Sequence, residues 1–216
     1  MSDLFPDEVV TERLRLVKES VADGDLGERY ASMSTDGMDE GEVAYVPVEP
    51  FEHLREAYEF VADREDRMQS GDAGTYVVRP REGEDGAGEP AGEAELFAVW
   101  PRRAAFMTFG LRKRFWGRGY SGERAAALIR LAFERLDLEV VFVSHLVANE
   151  NSQRAIERYV DRFDGRREGT LRNQYPMNGE PRDVVQYSIG RDEYEASGEP
   201  PDCEFVDERD DERESR

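Results

Sequence analysis

The stretch Arg112-Lys-Arg-Phe-Trp-Gly-Arg-Gly-Tyr-Ser-Gly122 joins a local excess of positive charge to a glycine-bearing turn that opens a long amphipathic segment. Backbone N–H groups at a helix start have no intrahelical partner, and the aligned peptide dipoles there favour anions. Where glycines let a ligand approach the backbone, such a turn is a phosphate cradle. From Arg112 to Arg124 five cations (Arg112, Lys113, Arg114, Arg118 and Arg124) face Glu123 alone, in a chain whose formal net charge is −20.

Around this turn lie 216 residues, enough for one domain with a proper core. The 49 acids are spread through patterned segments as well as the end of the chain, and the only lysines are Lys18 and Lys113. Such acidity argues against nucleic acid as a partner and matches a proteome adapted to concentrated salt. At about 1 M salt the Debye length is only 3 Å, so close backbone contacts must carry more of any anion binding than exposed arginines do. The lone Cys203 excludes an internal disulfide and a cysteine-based zinc site, and two histidines make a metal site unexpected. No apolar run reaches the ~18 residues of a membrane span, and Met1–Pro6 lacks signal-peptide character, so a cytoplasmic protein without membrane contact is expected.

Hydrophobic periodicity supplies the elements. Thr11–Val17 (TERLRLV) reads as one half-buried strand, and a helix is expected around Leu26–Met33. Phe51–Met68 carries Leu54, Ala57, Tyr58 and Val61 at helical spacing. Strands are expected over Thr75–Arg79 and Glu93–Trp100, joined by a solvated loop rich in Gly, Pro and acids, and then over Ala104–Leu111. The helix opened by the turn places Ala125, Leu128, Ile129, Ala132, Phe133 and Leu136 on one face, with Arg124 among the residues elsewhere. Val140–Leu146 reads as a buried strand. Asn149–Ser152 supplies capping chemistry for a second helix with Ala155, Ile156 and Tyr159 inward, and Leu171–Tyr175 and Asp183–Ile189 read as closing strands. Residues 1–10 are expected to be flexible, 11–192 to form the domain, and 193–216 to be an acidic disordered tail.

Gly117, Gly119 and Gly122 fit G-x-G-x-x-G, yet a dinucleotide fold would put them directly after an apolar strand, and Arg112–Trp116 intervene. No Gly-Lys-Ser/Thr run makes a P-loop. Gly119-Tyr-Ser-Gly-Glu123 approaches a hydrolase elbow, but Glu123 stands at its final glycine and neither His53 nor His145 has the expected order. Ser121 is therefore read as a phosphate contact.

Taken together, the motifs resemble the RimJ/RimL-type branch of the GCN5-related N-acetyltransferases. Trp116-Gly-Arg-Gly-Tyr-Ser121 is similar to that branch's W-G-x-G-[YF]-A turn, Asn149-Glu-Asn-Ser152 to its N-x-x-S, and Thr11-Glu-Arg-Leu-Arg-Leu16 to its T-E-R-L-x-L. Gly169–Arg172 and Asp183 are similar to its late E-G-x-x-R and D positions. The resemblance implies an α/β (α+β) fold with a mixed, mostly antiparallel sheet of six to seven strands flanked by helices. Within it, Ala104–Leu111 bulges and splays from Val140–Leu146 to leave a V-shaped cleft. It implies acetyl-CoA as cosubstrate, its pyrophosphate on Trp116, Gly117, Arg118, Gly119, Tyr120, Ser121 and Gly122, with Phe109, Leu111, Asn149, Asn151 and Arg154 completing the cofactor site. The acceptor is then a primary amine, on a protein N-terminus or a small molecule, attacking the thioester directly. The resemblance further implies that Asn149 orients cofactor or substrate and that Ser152 donates to the sulfur, and the strand around Phe109–Leu111 is the candidate for oxyanion contact.

Two departures bear on mechanism. The family's frequent Tyr acid is Ile156 here, with Tyr159 three residues on, and a frequent Glu before the turn is Phe106. Glu95, His145 and Glu168 are the candidate bases, Glu95 first among them, and a water relay is the alternative. A catalytically silent CoA-binding sensor of the same fold and, more remotely, a nucleotide-dependent oxidoreductase are the rival readings, and a homodimer is left open.

Overall fold

The computed structural model describes every residue except 1–3, 22–25, 35–36, 38, 40, 42–44, 46–48, 178, 199 and 208–216. Parts of the polar region from Ala22 to Pro50 and the last nine residues thus lie outside the described residues. One sheet in the order β7-β8-β6-β5-β4-β3-β2-β1-β9 organises the chain. Its strands are β1 Glu8–Thr11, β2 Leu14–Lys18, β3 Ala73–Pro80, β4 Gly92–Val99, β5 Ala104–Leu111, β6 Val140–Leu146, β7 Arg166–Met177, β8 Glu180–Gly190 and β9 Cys203–Val206. All described pairings are antiparallel except that of β5 with β6.

Nine strands exceed the expected six to seven for two reasons. Thr11–Val17 is not one strand: the chain turns at Glu12–Arg13, and β1 pairs back on β2. The segment expected to be a disordered tail forms a helix at Arg191–Ala196 and then β9, which pairs with β1 at the sheet edge. Its alternating Cys203 and Phe205 pack against the core despite the surrounding acids. The N-terminal boundary moves too, because Phe5 is fully buried and β1 begins at Glu8.

Helices cover both faces. The helices α1 Leu26–Met33 and α2 Leu54–Ser70 lie on one, and α3 Tyr120–Arg130 and α4 Glu150–Arg162 on the other; the short α5 is Arg191–Ala196. Alternation along β4 turns Ala94 and Leu96 into the core with α3, and Glu93 toward α1 and α2. The inward face of α2 is Ala57, Val61, Arg64 and Met68; Leu54 and Tyr58, expected to share it, are exposed. Arg64 turns inward because it joins Arg29, Glu19 and Glu93 in a network, with Arg29 Nε 2.6 Å from Glu19 and Arg64 Nη2 2.6 Å from Glu93. Arg29 also pairs with Glu93. Charges taken from water in this way need each other, since removing one partner strands the rest.

Although burial opposes it, the charges of Arg64 and Arg29 hold the Glu93 carboxyl down at about 2, from an ordinary 4.5. A depressed carboxylate contributes stability above its unfolded pKa that disappears as pH falls through the folded one. Glu93→Gln should therefore lower the thermal midpoint fully above pH 4.5, and the gap to wild type should close as pH falls from there toward 2. Melting curves across that range check it; a gap independent of pH would refute the ionic origin.

Candidate active site

The parallel pairing of β5 with β6 stops early. It runs from Ala104↔Val140 to Met107↔Val143, after which β6 continues pairing with β8 as far as Leu146 while Thr108–Leu111 pairs only with β4. The two central strands thus part at Thr108 and open a wedge. The expected bulge is absent, for the β4–β5 register runs one to one from Gly92↔Leu111 to Val99↔Ala104. Because Arg112 N donates to Ala91 O on the β4 side, strand alternation turns the N–H and C=O of Phe109 and Leu111 into the wedge.

At the mouth of the wedge stands the turn. Gly117 and Gly119 have φ of 78° and 82°, a region costly for side chains, and Gly119 caps α3. Among the described residues, no backbone carbonyl or side chain accepts from the N–H groups of Gly117 through Ser121. Glu123 holds this arrangement. Its Oε1 accepts from Thr11 Oγ1 at 2.6 Å and Arg13 N at 2.8 Å, and its Oε2 from Arg13 Nε at 2.8 Å. Arg13 Nη1 in turn donates to Arg118 O at 2.9 Å. The T-E-R motif, read from sequence as a strand, is a brace for the turn more than 100 residues away. The co-occurrence of Thr11, Arg13 and Glu123 was the available signal.

The remaining predicted residues divide by what they touch. Tyr120 is fully buried and its hydroxyl donates to Glu84 at 2.5 Å, so only its amide faces outward. The Arg118 guanidinium pairs with Asp85 at 2.7 Å, and Arg114 with Glu89 at 2.5 Å. The hairpin loop after β3 is exposed, as expected, and its acids also pair with the turn's cations. Trp116 is exposed and its indole donates to Leu111 O at 2.7 Å, which occupies that carbonyl. Phe109 lies against Tyr159, ring centroids 6.2 Å apart.

Across the wedge, Asn149 N-caps α4, its Oδ1 accepting from Ser152 N at 3.0 Å. Ser152 is half-buried beside it, whereas Asn151 and Arg154 are exposed and bond each other. Glu95 lies opposite Thr108 in register, where β5 leaves β6, and accepts from Thr108 Oγ1 at 3.1 Å. Burial raises the Glu95 carboxyl above its ordinary range, against the lowering charge of Arg64 and the bond from Thr108. His145 is buried, bonded to Leu146 O and within 3.4 Å of the Tyr187 hydroxyl. Glu168 bonds Ser188 at 2.5 Å, beside Phe142 in the closed half of the strand pair, and so stands away from the wedge. Among the described residues no His, Cys, Asp and Glu cluster could hold a metal. No described helix is long and apolar enough to cross a membrane.

The sequence pattern of the acetyltransferase (GNAT) domain family matches residues 13–159, and the chain belongs to this family, whose members take acetyl-CoA as acetyl donor. YdaF of Bacillus subtilis (strain 168), named as a candidate ribosomal N-acetyltransferase, is 33% identical over 93 residues, 43% of this chain and 49% of that protein. The match spans about half the length of that relative. Among solved structures, RimJ of Mycobacterium smegmatis in complex with CoA-disulfide superposes with a TM-score of 0.72 at 16% identity, covering 89% of this chain and 91% of that one. A Vibrio cholerae structure titled as a candidate ribosomal-protein-serine acetyltransferase gives 0.67 at 21%, covering 86% and 99%. These structural likenesses establish the shared fold.

The brace has a measurable consequence. Glu123→Ala should cost about 1–3 kcal/mol, the usual penalty for leaving buried partners unsatisfied. Adding Arg13→Met should cost less than the sum of the two single changes, since both break one unit. Denaturant unfolding of the four proteins checks this; strict additivity would refute the coupling.

Proposed function

We propose that this protein transfers the acetyl group of acetyl-CoA to a primary amine, by direct attack within a ternary complex at the β5–β6 wedge. The observation that carries this reading is the run of unpartnered amides at Gly117–Ser121 set at the mouth of an open strand pair. A diphosphate satisfies those amides, and an extended pantetheine arm can pair with the open backbone of Phe109 and the Leu111 N–H. When bound, the cosubstrate supplies the activated thioester. The Phe109 N–H, aimed into the wedge, is a preorganised donor for a developing oxyanion.

On the opposite face of the sheet the amine meets Glu95. A carboxylate with a raised pKa is a better base, and its negative charge also attracts an ammonium group before deprotonation. With no stronger base at hand among the described residues, an α-amine of pKa near ~7.7–8.0 is an easier acceptor than a lysine at ~10.4. This favours a protein N-terminus, in keeping with the ribosomal substrates in the names of YdaF and the Vibrio cholerae relative. Ser152 donates to the departing sulfur, and Asn149 keeps it in place by capping the helix that carries it.

Thiol release from acetyl-CoA with N-terminal peptides tests this. Wild type should turn over; Glu95→Gln should lower kcat by about 10²-fold or more and remove the acid limb of the pH profile, which lies above the ordinary carboxylate range. Tight CoA binding without turnover on any amine would favour the sensor reading, and binding of NAD(P) but not CoA would overturn both.

The acidic loop makes a second prediction. Asp85 and Glu89 already neutralise Arg118 and Arg114, so acetyl-CoA binding should depend little on salt. Asp85→Asn with Glu89→Gln should tighten binding in dilute buffer and make it weaken with added salt. Titration calorimetry from 0.1 to about 2 M KCl reads this out, and identical salt slopes would refute it.

A further inference from the structure

Beneath the turn sits a buried cation with no counter-charge among the described residues. Arg124, in the second turn of α3, is 1% exposed. Its Nη1 donates at 3.0 Å to the carbonyls of Glu93 and Gly110, which are cross-strand partners on β4 and β5. The guanidinium carbon lies 4.0 Å from the centroid of the Phe109 ring. Its Nε is buried without a hydrogen-bond partner, as is the nearby Tyr159 hydroxyl. Among the described residues no carboxylate pairs with Arg124, and burial pulls its pKa down to about 9.

Two neutral carbonyls account for donors at this position but not for a full positive charge. A buried ion without an opposite charge is strongly unfavourable, so its retention calls for a partner that the protein alone does not supply. The direction of that partner is given by Nη2, which reaches toward Ser121 Oγ at 3.5 Å, in the first turn of α3 and inside the run of open amides. Across so short a path in a poorly solvated region, a charge on the amides interacts strongly with the guanidinium.

We propose that Arg124 is a positioning residue whose missing counter-charge is the diphosphate of the bound cofactor, felt through Ser121. It ties occupancy of the turn to the β4–β5 pair that carries Phe109 and Gly110. The inference rests on the reading of the turn as the diphosphate site. It requires no contact between Arg124 and the reacting atoms.

The test compares wild type, Arg124→Met and Arg124→Lys at fixed salt, with CoA as the probe and calorimetry as the readout. Arg124→Met should weaken CoA binding about tenfold or more and shrink the rise in thermal midpoint that saturating CoA produces. Arg124→Lys should lose CoA affinity as pH rises from about 6 to 8, a range below about 9 in which the arginine keeps its charge, because burial lowers a lysine from an already lower starting pKa. A CoA Kd within twofold of wild type for Arg124→Met would reduce Arg124 to a carbonyl staple. If that variant does not fold, parallel pH profiles for Arg124→Lys and wild type would overturn the proposal equally. Failure of the underlying reading looks different, since wild type itself would then bind no CoA.

Discussion

A single carboxylate braces the Gly117–Ser121 turn and leaves its amides open. Glu123 lies in the first turn of α3, where negative charge suits the helix dipole, yet its oxygens are turned to Thr11 and Arg13 and leave the amides ahead of it unused. Were that side chain to cap its own helix, it would occupy the donors an anion needs. The brace also joins the β1–β2 turn to the start of α3, so the sheet edge and the site are parts of one unit. Gly119 fits because Arg13 Nη2 stands only 3.3 Å from where a Cβ would be, and because its φ is positive.

Charge in this molecule is organised by local pairing. Two of the cations that mark the turn in the sequence, Arg114 and Arg118, are met in the fold by Glu89 and Asp85, which on the proposed reading leaves anion recognition mainly to backbone dipoles that salt screens poorly at contact distance. On the other face, Glu19, Arg29, Arg64 and Glu93 bind α1 and α2 to β4. Glu95 stands two residues along the same strand. The network therefore fixes α1 and α2 against the strand that carries Glu95.

Much of this could be read in advance where one periodicity spoke for one element. The strands at Ala104–Leu111 and Val140–Leu146 and the first helix have the expected bounds, and the six residues expected on the inner face from Ala125 to Leu136 are buried, though Arg124, Ala126 and Ala127 are buried with them. The failures have separate physical causes. Alternation in TERLRLV runs unbroken through a turn whose reason, Glu123, lies far along the chain. Acid content masked the alternation of Cys203 and Phe205 in β9, which depends on an edge that only the fold creates. Arg124 shares a face with Leu128 at helical spacing, but its charge argued for solvent, and no local rule says that a cation is buried there. The docking of the acidic loop is likewise a contact between distant residues, beyond any local pattern.

The most direct test of the site is an amide NMR titration of the protein with CoA. The predicted result is shifts concentrated on the N–H groups of Gly117 through Ser121 and of Phe109, with those amides becoming protected from solvent exchange. CoA binding that leaves these amides unperturbed, or that perturbs residues around Glu168 and Ser188 at the closed end of the strands instead, would contradict it.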